Sequence, residues 1–383
     1  MSVTAAKGFT AAGIAAGIKE NGNPDLALVV NTGPRLAAAG VFTSNRVKAA
    51  PVLWSEQVLK GGLVSAVVLN SGGANACTGP QGFQDTHATA EKVAETLSLN
   101  AGEVAVASTG LIGVTLPMDK LLPGVEKAAG ELSAHGGEKA AIAIKTTDSV
   151  HKTSVAARDG WTVGGMAKGA GMLAPGLATM LVVLTTDADV EAGLLDTALR
   201  DATRVTFDRV DSDGCMSTND TVLLLASGAS GVTPEHAEFA DAVREVCADL
   251  GRQLIGDAEG ASKDIKVEVV NAASEADAVE VGRSIARNNL LKCALHGEDP
   301  NWGRVLSAIG TTSAAFEPDR LNVAINGVWV CKNGSVGEDR DLVDMRYREI
   351  VVTADLAAGA ETATIWTNDL TADYVHENSA YSS

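Results

Sequence analysis

The stretch GGMAKGAGMLAPGLATMLVVL, residues 164–184, lies near the middle of the chain, and the rest of the sequence is arranged around it. Five glycines and a proline between residues 164 and 176 disfavour a regular helix, because glycine loses much backbone entropy on ordering and proline lacks an N–H. The apolar, β-branched run that follows predicts a buried strand. Thr179 lies where the two parts meet, and the small Ala178 before it leaves the intervening carbonyl carbon open to attack by a hydroxyl.

We predict that the chain cuts its own Ala178–Thr179 bond, so that Thr179 becomes a new N-terminus. An α-amine has an ordinary pKa of about 7.7 to 8.0, so the freed amine can take the proton of the threonine hydroxyl near neutral pH. Such a nucleophile needs no histidine. Residues 169–174 also match the dinucleotide pattern G-x-G-x-x-A, but Pro175-Gly176 follows where that motif should open a helix, so we reject a nucleotide site.

Composition and charge narrow the class of protein. With 383 residues, 46% of them apolar, the chain can bury a sizeable core and is expected to form two lobes or one large one. A net charge of −18 argues against nucleic acid as a partner. We expect a cytoplasmic protein that binds no membrane, since the sequence shows neither a signal peptide nor an apolar stretch of membrane-spanning length, and its five cysteines fit reduced thiols. No metal is expected, because residues 211–214 fill only part of a calcium loop.

Local patterns predict an α/β chain with a larger N-terminal lobe and a smaller α+β lobe that begins near Lys263. In the first lobe, Leu26–Val30 and Ala37–Thr43 are expected to pair as strands around the turn at residues 31–34. Further strands are expected at Leu63–Leu69, Val104–Ser108, Trp161–Gly165, Met180–Thr185 and Thr221–Ala226. Helices are expected at Gln84–Leu99, Ala192–Phe207 and Ala237–Ile255, and at Pro117–Ala143 with breaks at Gly124, Gly130 and the Gly136-Gly137 pair. In the second lobe, strands are expected at Ile265–Val270, Leu321–Ile325, Glu349–Thr353 and Thr362–Thr367, a helix at Ala273–Asn288, and a frayed polar tail at the C-terminus.

Several polar residues follow strands or lie among small residues, and each has two interpretations. Thr109 and Gly110 form either a tight turn or a pair of donors for an oxyanion hole. Residues 145–148 either line a pocket or cap a helix. Lys168 is either a solvated lysine or the partner of an anionic substrate group, and Glu259 is either a solvated acid or the partner of a substrate ammonium.

Six segments form an ordered set over nearly the whole chain: Asn70–Gly79, Ser108-Thr109-Gly110, Thr146-Thr147-Asp148, Lys168–Leu181, Asp257–Lys263 and Gly297–Arg304. This set resembles the ornithine acetyltransferase family of arginine biosynthesis, whose members act as glutamate N-acetyltransferases. The resemblance implies the fold of that family, which DmpA-like aminopeptidases share. The segment before the cleavage site, Ala174–Ala178, departs from the Asn-Met that relatives often carry, which affects the rate of cleavage and not its chemistry.

The resemblance assigns roles to individual residues. It implies an α chain of residues 1–178 and a β chain of residues 179–383, assembled as a heterotetramer of two α and two β chains. It places the C-terminus at the active site in place of a frayed tail. Thr179 is then the nucleophile, and the Thr109 hydroxyl and the Gly110 N–H hold the oxyanion. The implied substrate contacts are Thr146 (with Thr147 beside it as the alternative), Lys168, Thr179, Glu259, Asn378 and Ser383.

The reaction that the resemblance implies is acetyl transfer from N2-acetylornithine to glutamate through an acetyl-threonine intermediate, with no cofactor. Use of acetyl-CoA as a second acetyl donor, and a role in a secondary-metabolite pathway, are left open by the sequence. Two other classes fit the residues: a self-cleaving aminopeptidase or amidase with water as acceptor, and a small-molecule binding protein in which the glycine loops only shape a pocket.

Overall fold

Fifteen strands form three sheets within residues 2–174 and 180–380, the part of the chain that the computed structural model describes. The chain divides into two compact units. The first contains the residues up to Asp208 together with Cys215–Asp257, and the second contains Arg209–Gly214 and the residues from Ala258 onward. The predicted α/β class is therefore confirmed.

The first unit contains nine strands and six helices among its described residues. The strands are β1 (Phe9–Ile14), β2 (Leu26–Asn31), β3 (Ala37–Phe42), β4 (Ala66–Asn70), β5 (Val104–Ser108), β6 (Lys152–Ala157), β7 (Thr162–Lys168), β8 (Leu181–Thr186) and β9 (Thr221–Ala226). The helices are α1 (Ala50–Leu59), α2 (Gly79–Leu97), α3 (Met118–Gly130), α4 (Gly137–Ala143), α5 (Ala192–Val205) and α6 (His236–Gly256).

Two sheets pack face to face in this unit. One has the strand order β1-β2-β4-β5 and the other β3-β9-β8-β7-β6. Because successive side chains of a strand point to opposite faces, alternate residues of the four-stranded sheet meet the five-stranded sheet and α4, while the others meet α2 and α3. Helices α5 and α6 contact the five-stranded sheet. Strands β2, β4, β5, β8 and β9 are buried along their whole length, which explains their continuous apolar sequences.

The central stretch forms two neighbouring strands. β7 pairs antiparallel with β8, so that Lys168 lies opposite Leu181, and β8 pairs parallel with β9. The glycines of β7 permit close packing, since a Cβ on Gly165 would lie 2.7 Å from the Leu184 side chain. The sheet therefore presents the end of β7 and the beginning of β8 side by side.

The second unit is built on a six-stranded sheet with the order β13-β12-β11-β14-β10-β15. Its strands are β10 (Asp264–Ala272), β11 (Asn322–Ile325), β12 (Val328–Lys332), β13 (Ser335–Val336), β14 (Glu349–Asp355) and β15 (Glu361–Asn368). Its helices are α7 (Glu275–Ala286), α8 (Asn289–His296), α9 (Trp302–Ile309) and α10 (Ala372–Ala380). Helices α7 and α9 pack on the sheet and close a separate apolar core.

Two sequence predictions are wrong. Strands β2 and β3 do not pair with each other, because β2 pairs with β1 and β4 while β3 pairs with β9 in the other sheet. The turn between them is real, since Asn31 Oδ1 accepts from the Gly33 N–H at 3.0 Å, but it sends the chain from one sheet to the other. The frayed tail is also wrong for residues 372–380, which form α10.

Candidate active site

The loop after β5 carries the first two candidate residues, Thr109 and Gly110. The Thr109 N–H donates to the Asn70 carbonyl at 2.9 Å, and the Thr109 carbonyl accepts from the Gly73 N–H at 3.1 Å. Gly110 has a φ of +134°, and a Cβ there would lie 2.6 Å from the Gly73 nitrogen, so glycine is required. The Asn70 side chain completes the turn, because its Oδ1 accepts from the Ser108 hydroxyl at 2.6 Å and its Nδ2 donates to the Gly73 carbonyl at 2.9 Å. The backbone of this loop is therefore fixed before any ligand binds.

The segment directly before β9 is hydrogen bonded both to this loop and to the start of β8. Asn219 Nδ2 donates to the carbonyls of Ala74 at 2.6 Å and Ser108 at 2.9 Å. The next residue, Asp220, is fully buried and accepts the Met180 N–H on Oδ1 at 3.2 Å. Burial raises the pKa of the Asp220 carboxyl well above its usual range, although the Met180 N–H opposes that effect. Asn219 thus holds the loop of the predicted oxyanion hole, and Asp220 holds the chain directly after the predicted nucleophile, Thr179.

Lys168, the last residue of β7, lies against the same loop. Its side chain is buried, and its Nζ donates to the Thr109 Oγ1 at 3.5 Å. A hydroxyl that accepts from an ammonium can turn its own O–H toward a third group. An oxyanion hole needs donors that are already oriented in this way, so the arrangement of Thr109 and Lys168 suits the stabilisation of a developing negative charge.

Thr146 is tied to the same region through the carboxylate of Asp148. The Thr146 N–H donates to Asp148 Oδ2 at 3.0 Å, and the Gly169 N–H donates to Asp148 Oδ1 at 2.6 Å. Asp148 also accepts from the buried ammonium of Lys152 at 2.7 Å. Thr147 is exposed, so the structure does not choose between Thr146 and Thr147 as the substrate contact.

The second unit holds two further candidate residues, and they are hydrogen bonded to each other. Asn378 on α10 donates from Nδ2 to Glu259 Oε2 at 3.0 Å and to the carbonyl of Tyr374 at 3.0 Å. Gly260, beside Glu259, has a φ of +61°, and a Cβ there would lie 2.1 Å from the Tyr374 nitrogen. The close approach of these two backbones brings Glu259 and α10 into contact.

The remaining candidates, Ala178, Thr179 and Ser383, lie outside the described residues. Sequence reasoning missed Asn219 and Asp220, although the polar run Ser217-Thr218-Asn219-Asp220 directly before a buried strand was a usable signal. It also missed Lys152. Within residues 2–174 and 180–380, no group of three or more histidine, cysteine or acidic side chains could hold a metal ion. None of the described helices is both long and apolar enough for a membrane span.

The family model described as the ArgJ family matches residues 10–383. The chain belongs to the ArgJ family. This ArgJ-family chain is 88% identical over 383 residues to the arginine biosynthesis bifunctional protein ArgJ of Streptomyces avermitilis, with both sequences covered completely. It is 61% identical over 393 residues to the protein of that name from Mycobacterium leprae, covering all of this chain and 96% of the relative.

Solved structures include an ornithine acetyltransferase of Mycobacterium tuberculosis in complex with ornithine, which is 62% identical to this ArgJ-family chain. The match covers 47% of this chain and 96% of that one, with a TM-score of 0.45. The family model and the full-length relatives confirm the resemblance to the ornithine acetyltransferase family of arginine biosynthesis that the sequence indicated.

Proposed function

We propose that the chain transfers an acetyl group from N2-acetylornithine to glutamate, with Thr179 as the nucleophile. The observation that carries this proposal is the fixed Thr109–Gly110 loop with the Lys168 ammonium against the Thr109 hydroxyl. Support also comes from the two residues directly before β9. Asn219 donates to the Ser108 carbonyl next to that loop, and Asp220 accepts from the N–H of Met180, the residue after Thr179.

The first half-reaction forms an ester on Thr179. The free α-amine of Thr179 takes the hydroxyl proton, and the hydroxyl oxygen attacks the acetyl carbonyl of N2-acetylornithine. The Thr109 O–H and the Gly110 N–H stabilise the tetrahedral oxyanion. As the C–N bond breaks, the protonated amine gives its proton to the departing ornithine nitrogen, which leaves an acetyl-threonine ester.

The second half-reaction reverses these steps with glutamate as the acceptor. The amino nitrogen of glutamate loses its proton to the Thr179 amine and attacks the ester carbonyl. As the ester C–O bond breaks, the protonated amine returns that proton to the Thr179 oxygen, which restores the threonine hydroxyl and releases N-acetylglutamate. Both substrates carry an α-carboxylate, whereas ornithine has an ammonium on its side chain and glutamate a carboxylate. In this proposal Lys168 binds a carboxylate, Glu259 with Asn378 binds an ammonium, and Thr146 and Ser383 complete the contacts.

No cofactor takes part in this scheme, and acetyl-CoA serves as a second acetyl donor that acylates the same threonine. The chain works in the cytoplasm, which fits the finding that none of its five cysteines, all within the described residues, is part of a disulfide. After cleavage the α and β chains assemble as a heterotetramer with two copies of each.

The proposal is tested by the size of the purified chains together with transfer activity. We expect two bands on a denaturing gel, with masses that match residues 1–178 and 179–383. The Thr179→Ala variant gives a single uncut chain and no N-acetylglutamate from N2-acetylornithine and glutamate, because it lacks both the attacking oxygen and the freed amine. The matched control Thr197→Ala, at an exposed position on α5, leaves cleavage and transfer intact.

Three outcomes would contradict the proposal. The first is an active, full-length Thr179→Ala chain. The second is acetate release at the same rate with and without glutamate, which would make the protein a hydrolase. The third is a single uncut chain in the wild type that binds N2-acetylornithine without turnover.

A further inference from the structure

A pocket of about 450 Å³ is lined by described residues of the second unit alone. Its lining comes from the loop at residues 212–214, from the junction of α7 with α8, and from the end of β15 together with α10. None of the candidate substrate contacts within the described residues lines it. A space of this size is typical of sites that hold a small molecule.

Lys292, on α8, brings a buried ammonium to this pocket. Only 5% of the residue is exposed, and its Nζ donates to the Ser212 carbonyl. An ammonium has three N–H donors, and among the described residues this one has no second acceptor. Burial lowers the pKa of Lys292, while the charges of Asp213, Asp211 and Asp369 oppose that effect. A bound anion would accept from the remaining donors and would favour the charged form.

Arg287 and Asn289 add further donors to the same lining. Arg287 donates from Nε to Asp211 Oδ2 at 2.8 Å, and nearly half of its side chain is exposed, so its other N–H groups are accessible to a ligand. Asn289 is exposed and is the first residue of α8, where the helix dipole favours a negative charge. These donors suit a carboxylate, which accepts several charged hydrogen bonds at once.

Acidic residues in the same lining argue against a multiply charged anion such as phosphate. The described lining contains two basic residues and two acidic ones, Asp213 and Asp369. The Asp369 carboxylate already accepts from the N–H groups of residues 262 and 263, each at 2.9 Å. A ligand without net charge therefore matches this pocket better than one that brings two negative charges close to the acids.

We propose that this pocket binds an amino acid, as a site additional to the one that carries out acetyl transfer. Lys292 and Arg287 bind the α-carboxylate, and Asp213 binds the α-ammonium. Leu370 and Val375, which also line the pocket, contact an apolar side chain. An amino acid is a zwitterion, so its two charges meet both kinds of charged residue while its net charge is zero.

The test uses three probes of similar shape that differ in charge. They are L-leucine, 4-methylpentanoate, which lacks the ammonium, and 3-methylbutylamine, which lacks the carboxylate. Each is titrated into the purified full-length protein, and binding is followed by saturation-transfer difference NMR. We expect L-leucine to bind and the other two to bind about tenfold more weakly or not at all, because each lacks one set of charged hydrogen bonds.

Two variants locate the binding site. Lys292→Met removes the ammonium and keeps a side chain of similar length, so the Kd of L-leucine should rise by about tenfold or more. Asn289→Asp serves if Lys292→Met does not fold, since an acid in the first turn stabilises a helix but repels a carboxylate. It should weaken L-leucine binding by about threefold or more.

Lys332→Met is the matched control, because Lys332 belongs to the same unit but pairs at the surface with Glu338 at 2.8 Å. It leaves L-leucine binding unchanged, and so does Lys168→Met, which alters the acetyl-transfer site instead. L-leucine binding that is kept in Lys292→Met and Asn289→Asp would overturn the inference. Absence of L-leucine binding, equal binding of 4-methylpentanoate, or displacement of L-leucine by equimolar inorganic phosphate would also overturn it. Acetyl transfer does not enter these readouts, so failure of this site and failure of the proposed function are distinguishable.

Discussion

At the scale of the residue, the proposed role of the Gly110 N–H as an oxyanion donor depends on the backbone conformation of that glycine. Gly110→Ala places a Cβ 2.6 Å from the Gly73 nitrogen and strains a φ of +134°, so the loop must move and the Gly110 N–H leaves its place. In the proposed reaction the Gly110 N–H is one of two oxyanion donors, and the loss of one such donor lowers kcat by roughly 10² to 10³-fold. We expect that loss in steady-state transfer assays, with a smaller change in KM.

Gly113→Ala is the control for this substitution. Gly113 also has a positive φ, of +82°, but no neighbouring atom lies within 4 Å of a Cβ placed there. Gly113→Ala also strains a positive φ but adds no collision, so kcat is expected to change by less than about threefold. Equal losses in the two variants would mean that strain in the loop, and not the position of the Gly110 N–H, limits the reaction.

Residue types and their neighbours in sequence were enough to find part of this site. Thr109 and Gly110 could be predicted as site residues because a hydroxyl and a glycine directly follow an apolar strand. The ion pair of Lys152 with Asp257 could not be predicted, because the two residues are 105 positions apart and only the fold brings them together. An isolated lysine near a strand start has no sequence feature that separates a buried ion pair from a solvated side chain.

At the scale of the element, the segment before β9 is expected to control both stability and activity. Asn219→Ala removes two donors from the Ala74 and Ser108 carbonyls, which are held at 2.6 and 2.9 Å. Leaving such buried acceptors unsatisfied costs roughly 1 to 3 kcal/mol of unfolding free energy each. The same change loosens the strand end that carries Thr109, so we also expect a loss of kcat. Urea unfolding and transfer assays on one preparation measure both.

The opposite end of β9 supplies the matched control. Asn31 Nδ2 also bridges two carbonyls, those of Arg35 at 3.0 Å and Ala226 at 3.1 Å. Asn31→Ala should lose a similar amount of unfolding free energy while kcat of the remaining folded protein is kept. If both variants lose kcat in proportion to stability, the segment before β9 has no special role in catalysis.

Elements with a clear apolar pattern were predicted closely, whereas their pairing was not. Val104–Ser108 and Thr221–Ala226 have the predicted bounds of β5 and β9. The strand β1, with the sequence FTAAGI, was missed because its small residues give no strong β signal. The pairing of β2 with β3 was wrong because a turn between two strands indicates a hairpin only when both lie in one sheet.

At the scale of the whole molecule, the strand order decides what cleavage does to the first unit. A cut between residues 178 and 179 leaves β3, β6 and β7 in the α chain and β8 and β9 in the β chain. The sheet order β3-β9-β8-β7-β6 then places the two strands of the β chain between strands of the α chain. Leu181, Val183, Leu223 and Leu225 of these two strands lie in the core between the sheets.

The two chains should therefore stay together after cleavage, because separating them breaks two strand ladders and exposes side chains whose burial contributes about 1.5 to 3 kcal/mol each. We expect both chains in one peak on size exclusion in native buffer, at the elution volume of the uncut Thr179→Ala variant. They should separate only in concentrated denaturant, together with loss of the folded signal in circular dichroism. A free β chain in native buffer would contradict this strand order as the arrangement of the cleaved protein.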